Sequence, residues 1–181
     1  MKKPILLALS LLFIVLTTRA QEAGYSTIDV GVEYQWQPKS SVYDLHIAYN
    51  FPIHHSLQLR LGYTKSNWKD KGFNTFEDGG GPGGSLGYRY FLLYEPHGLF
   101  FGFRADVWRM TINYLHGTEP GKTKTWSLQT ALESGYMIVI NDQFFITPAV
   151  TIGQLSNVST EGRPVGQGLM LFAGISTGWK F

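Results

Sequence analysis

Apolar and polar residues alternate with a period of two along nearly the whole chain, and the two sets they form differ in kind. One runs Ile28, Val30, Val32, Tyr34, Trp36, then Tyr43, Leu45, Ile47, Tyr49, Phe51, then Leu57, Leu59, Leu61, Tyr63, then Leu86, Tyr88, Tyr90, Leu92, without a charge. The opposite set runs Asp29, Gly31, Glu33, Gln35, then Asp44, His46, Ala48, Asn50, then Gln58, Arg60, Gly62, Thr64, then Ser85, Gly87, Arg89, mixing both charge signs with glycine and small polar residues. Successive side chains of a β-strand point to opposite faces, so this pattern describes strands with one apolar and one polar face. After residue 20 no stretch shows a convincing helical period, and none is apolar for the roughly 20 residues a spanning helix needs. The chain is therefore read as all-β.

The alternation breaks into eight predicted strands: Tyr25 to Gln37, Ser41 to Phe51, Leu57 to Ser66, Gly84 to Tyr94, Leu99 to Tyr114, Thr125 to Ile140, Phe144 to Leu155 and Gly168 to Phe181. Pro52 to Ser56, Glu95 to Gly98 and Asn141 to Gln143 are short connections, whereas Asn67 to Gly83, Leu115 to Lys124 and Ser156 to Gln167 read as long loops. Pro38 to Ser40 is short where that order would make it long. Gly79 to Gly84, interrupted by Pro82, reads as a flexible loop tip; without a following helix or a Gly-Lys-Ser/Thr triplet it is no phosphate cradle. In the fifth strand the apolar set Leu99, Phe101, Phe103, Ala105, Val107 gives way to Trp108, Met110, Ile112, which suggests a bulge near Val107. Pro148, lacking a ladder donor, suggests a local bulge or an unpaired position.

Alternation does not say which face is inside. A soluble, lipocalin-like barrel would expose Lys and Glu and fill its lumen with large aliphatics. Here the polar face is poor in Lys and rich in Gly, as a crowded lumen requires, and Tyr and Trp recur near strand ends at Tyr34, Trp36, Tyr43, Tyr63, Tyr94, Trp126, Tyr136 and Trp179, like girdles at a membrane interface. The final strand places Leu169, Leu171, Ala173, Ile175, Thr177, Trp179 and the terminal Phe181 on one face. In this it resembles bacterial outer-membrane β-barrel proteins, whose last strand ends in an aromatic residue read by the assembly machinery. Ser176 stands where that family favours glycine, with glycines at 174 and 178. The resemblance is to the small barrels of the OmpA membrane-domain, OmpX and OmpW type. It implies an eight-stranded antiparallel up-and-down transmembrane barrel, Trp179 and Phe181 as assembly signal, lipid, lipopolysaccharide and the barrel assembly machinery as partners, and a monomer. An even strand count puts both termini in the periplasm.

The N-terminus fits export. Lys2 and Lys3 precede an apolar run from Pro4 to Leu16 and a Thr18-Arg19-Ala20 ending, the plan of a secretory signal peptide over residues 1–20, with one barrel domain over 21–181. Removing Lys2, Lys3 and Arg19 from the 15 Lys and Arg leaves 12 against 13 Asp and Glu, so the basic precursor gives no reason to expect nucleic acid. With no cysteine there is no disulfide framework, thiolate metal site or lipidated cysteine.

An inward polar face brings Asp29, Glu33, Asp44, Asp106 and Glu133 into one lumen with Arg60, Arg89, Arg104 and Lys180. An eight-stranded lumen is only wide enough for side chains to fill it, so these charges should pair into a plug; a gated path for ions or small solutes is the sharper alternative. For catalysis, some small outer-membrane barrels are lipid A deacylases with a His-x-Ser-Asn motif. Gln154-Leu155-Ser156-Asn157 keeps the Ser and Asn and loses the base, because a glutamine cannot take the proton from Ser156. No catalytic set, cofactor or metal site is assigned; the adjacent His54 and His55 read as a solvated turn. The expected role is non-enzymatic, structural or surface-interacting through the external loops. Trp68, Phe73 and Phe76 are the aromatic candidates for contact, with acyl hydrolysis at Ser156 and a narrow pore as alternatives.

Overall fold

A computed structural model describes residues 28–69 and 74–181, so the leader, Tyr25 and Phe73 lie outside the described residues. It contains eight strands: β1 (Ile28–Gln37), β2 (Ser40–Asn50), β3 (His55–Lys69), β4 (Phe76–Phe91), β5 (Gly98–His116), β6 (Glu119–Ile140), β7 (Phe144–Glu161) and β8 (Gly168–Lys180). Each pairs antiparallel with its sequence neighbour, and β1 pairs with β8 to close the ring. The seam is finished by reciprocal bonds between Ile28 and Phe181, at 3.1 and 2.7 Å. Closure leaves no open edge in the barrel wall, the condition for strands to cross lipid.

The barrel is inside out relative to a water-soluble one. Leu45, Leu61 and Leu86 face outward at 66, 62 and 69% exposure, whereas Arg60, Arg89 and Arg104 are among the largest fully buried side chains. Apolar side chains ring the wall and the charged face of the alternation lines the interior.

Three expectations need correcting. First, the segments read as long loops are mostly strand. The Leu115 to Lys124 connection is a two-residue turn at residues 117–118, with Gly117 at φ 61° opening it in the manner of a II′ hairpin. Second, Gly79 to Gly84 lies inside β4 and is no flexible tip. A Cβ at Gly81 would strike the Arg109 carbonyl of β5, so this close approach admits only glycine. The β4–β5 ladder skips Gly81 and Pro82, where proline has no N–H, and resumes in the same register. Third, there is no bulge at Val107, since β5 keeps one register with β4 and with β6 throughout. Trp108, Met110 and Ile112 simply point inward because the lumen itself turns apolar there. The register shift lies instead between Trp126 and Ser127, where β7 carries Val158 as an extra residue. At Pro148 and the neighbouring Thr147 the β6 ladder skips two positions without a shift.

Wall height is uneven. Pairing of β2 with β3 ends at Ser40 and Ser66, and pairing of β7 with β8 ends at Leu155 and Gly168. The upper parts of β3 to β7 therefore rise past β1, β2 and β8 as one protruding sheet.

Candidate functional site

The lumen is stacked in layers, because each inward position on a strand fixes a height. Near the chain termini Phe91, Phe100, Met137 and Phe145 form an aromatic floor. Asp29 is bound there by Lys180, whose Nζ donates at 3.0 Å. Above it lies a belt of charges drawn from β1, β3, β4, β5 and β6. Arg60 Nε donates to Glu33 at 3.0 Å and its Nη2 to Glu133 at 3.2 Å. Arg89 Nε donates to Glu133 at 2.6 Å, with its guanidinium 4.3 Å from the Phe100 ring centroid. Arg104 binds Asp106 through Nη2 at 2.9 Å and reaches Glu33 at 3.4 Å. Gln58 accepts from Arg60 at 2.6 Å, and Gln35 donates to Glu33.

Three guanidinium groups thus meet three carboxylates in charge-assisted, partly bridging bonds, the arrangement that offsets the cost of taking ions out of water. Six of the eight acidic and arginine residues assigned to the lumen from sequence belong to this one network. Asp29 is held separately by Lys180. Asp44 is buried directly across the ladder from Glu33, outside the arginine contacts.

Above the belt the lumen is closed by Val42, Trp108, Met110, Ile112, Leu155, Met170 and Phe172, with Val165 inserted among them. Val165 comes from the 162–167 connection, which folds in over the barrel mouth instead of standing away from it. Gly166 N donates to Glu77 at 2.8 Å, Asn74 Nδ2 to Pro164 O at 3.1 Å, Asn157 Nδ2 to Val165 O at 3.0 Å and Thr123 Oγ1 to Arg163 O at 2.9 Å. Glu77, Asn74 and Asn157 were not foreseen, and no local pattern marks a residue whose partner is a loop 80 or more positions away, as for Asn74 and Glu77.

Of the three aromatic contact candidates, Trp68 is half-buried and packs against this apolar cluster, and Phe76 is half-buried at the start of β4. Phe73 lies outside the described residues. Ser156 faces outward on β7, and its hydroxyl has no hydrogen-bond partner among the described residues. Trp179 and Phe181 face outward at the end of the chain.

No protein-family model matches the sequence, and no curated protein matches it. Among solved structures, Ail, the attachment invasion locus protein of Yersinia pestis, superposes with a TM-score of 0.53 at 10% identity, over 86% of this chain and 97% of that one. The fold is that of a small outer-membrane β-barrel. The N-terminal barrel domain of Pseudomonas aeruginosa OprF (TM-score 0.48, 14% identity, 87% of this chain and 98% of that one) and Neisserial surface protein A (0.44, 10%, 85% and 94%) are also similar. With the fold in hand, the layered lumen has a plain chemical reading. Every carboxylate of the belt network is engaged by arginine, whereas Asp44 and His46 are buried beside it without an ion pair among the described residues.

Proposed function

We propose that this chain is a non-enzymatic outer-membrane barrel that is closed to solutes along its axis and meets its surroundings through its outer surface. The observation that carries the reading is the filled lumen inside an apolar wall: an arginine–carboxylate belt between two apolar layers, ringed by exposed leucines. On this reading the N-terminal leader is removed at Ala20, both termini face the periplasm, and Trp179 and Phe181 present the assembly machinery with the aromatic end of β8. The protein works as a monomer among outer-membrane lipids.

The protruding sheet of β3 to β7 supports surface interaction, because its upper residues extend beyond the apolar wall. On β5 the outward positions are apolar from Leu99 to Val107, nine residues, which matches the roughly 9–11 that cross a bilayer as a tilted strand. Arg109, Thr111 and Asn113 follow on the same face. Acyl hydrolysis has no support in the surroundings of Ser156, which faces away from the lumen without a base.

The test is electrophoretic mobility of the protein from outer-membrane fractions, boiled and unboiled, followed by planar-bilayer recording. A compact fast band without discrete conductance is the expected result. A soluble periplasmic protein without a mobility shift, or stable single-channel steps, would overturn the reading.

A further inference from the structure

Immediately above the apolar wall, the outer surface of β3 to β6 changes sign. Lys65, Arg109, Lys122 and Lys124 all point outward and are exposed. The pairing places them together: Lys65 lies opposite Gly80, Gly80 opposite Thr111, and Thr111 opposite Lys124, a single row across four strands. Strands lie about 4.8 Å apart, so the two lysines of the row are about 14 Å apart at the backbone. Arg109 sits between them one pleat lower, opposite Trp126, with its guanidinium 5.9 Å from the indole centroid. Lys122 flanks Lys124 one pleat higher.

None of these four cations forms an ion pair with a described residue. Among the described residues the acidic groups on the same outer face are Asp78, on the row above, and Glu161, opposite Lys124, so the described strip carries a surplus of positive charge. Its centre is bare. Pro82 is exposed and Gly84 half-buried at the outward positions of β4 there, so a shallow patch with little side-chain bulk lies on the wall just below the buried Gly80. Leu61 and Tyr63 flank it on β3, and Val107 flanks it on β5, all exposed.

We propose that this strip is a binding site for a phosphorylated, acylated glycolipid of the outer leaflet. Lys65, Arg109 and Lys124 hold the phosphate, and an acyl chain runs down the wall over Pro82 and Gly84, beside Leu61 and Val107. The proposal rests on the outer-membrane reading, with the protruding sheet on the external side. Cations close to an anionic lipid headgroup each strengthen association by about fivefold. The planar, always-charged Arg109 guanidinium suits two-point contact with a phosphate. An aromatic ring stacked beneath it at the belt edge, as Trp126 is, belongs at a headgroup boundary.

The experiment is titration of the detergent-solubilised protein, read by native mass spectrometry, with bisphosphorylated lipid A, its dephosphorylated form, phosphatidylglycerol and inorganic phosphate as probes. Wild type should retain bisphosphorylated lipid A in preference to the dephosphorylated form and to phosphatidylglycerol, and millimolar phosphate alone should not displace it. The K65Q/R109Q/K124Q variant should bind about a hundredfold more weakly while keeping its compact unboiled band. K65Q/K124Q, which leaves the Arg109 and Trp126 pair intact, should lose about twentyfold and serves if the triple variant folds poorly. Unchanged binding in the variants, equal retention of phosphatidylglycerol, or displacement by free phosphate would each overturn the site. A wild-type protein without the compact membrane band would instead overturn the proposed function.

Discussion

At the scale of single residues, Glu133 is the hinge of the lumen network, since one carboxylate accepts from Arg89 at 2.6 Å and Arg60 at 3.2 Å. Replacing it with leucine leaves two guanidinium groups buried with part of their counter-charge removed. Breaking a buried pair from one side typically costs about 3–5 kcal/mol, because the remaining charge keeps its desolvation penalty. E133L should therefore lower the unfolding free energy of the barrel in vesicles by an amount in that range, read as a lower denaturant midpoint. Adding R89L should recover part of the loss, as Arg60 retains Glu33. If E133L unfolds at the wild-type midpoint, the belt does not hold the barrel together. These residues were legible in sequence because charges on the inward face of a narrow barrel have nowhere else to go. Their partners were not, because Arg60 meets a carboxylate 73 positions away, a pairing set by barrel register alone.

At the scale of elements, the strands were legible wherever the two faces differed in polarity, and the errors fell where that contrast disappears. Gly79 to Gly84 has no side chains to alternate and contains Pro82, so it carries every mark of a turn while forming part of β4. Above Val107 the inward face of β5 is apolar like the outward face below it, so a change of lumen layer looked like a slip of register. The Gly117 turn was readable from its glycine at the first central position, but its flanking strands carry polar residues on both faces and resembled a loop. Two substitutions separate packing from backbone conformation at these glycines. G81V forces a branched side chain against the Arg109 carbonyl and should abolish the compact unboiled band. At Gly117 a Cβ would meet nothing within 4 Å, so G117A pays only for φ 61° in a residue with a side chain and should cost about 1 kcal/mol in vesicle unfolding. Equal effects of the two would contradict the close packing of β4 against β5.

At the scale of the whole molecule, the decisive property is which solvent surrounds the wall. Leu86 is 69% exposed on the outer face, between Leu59 of β3 and Ala105 of β5. In a protein surrounded by water, changing so exposed a leucine to arginine removes no buried contact and alters stability by at most about 0.5 kcal/mol. In a bilayer the same change puts a cation into hydrocarbon, at a cost of about 2–4 kcal/mol near the midplane that falls toward the interfaces. L86R should accordingly destabilise the barrel by about that amount when unfolding is followed in lipid vesicles. At Lys65, higher on the same wall and already a cation, K65R should be neutral. K65R serves as the control for the arginine side chain itself, because it adds no charge to the wall. A neutral L86R would mean that the outward leucines face something other than lipid, and the apolar wall would then have to be an interface between proteins.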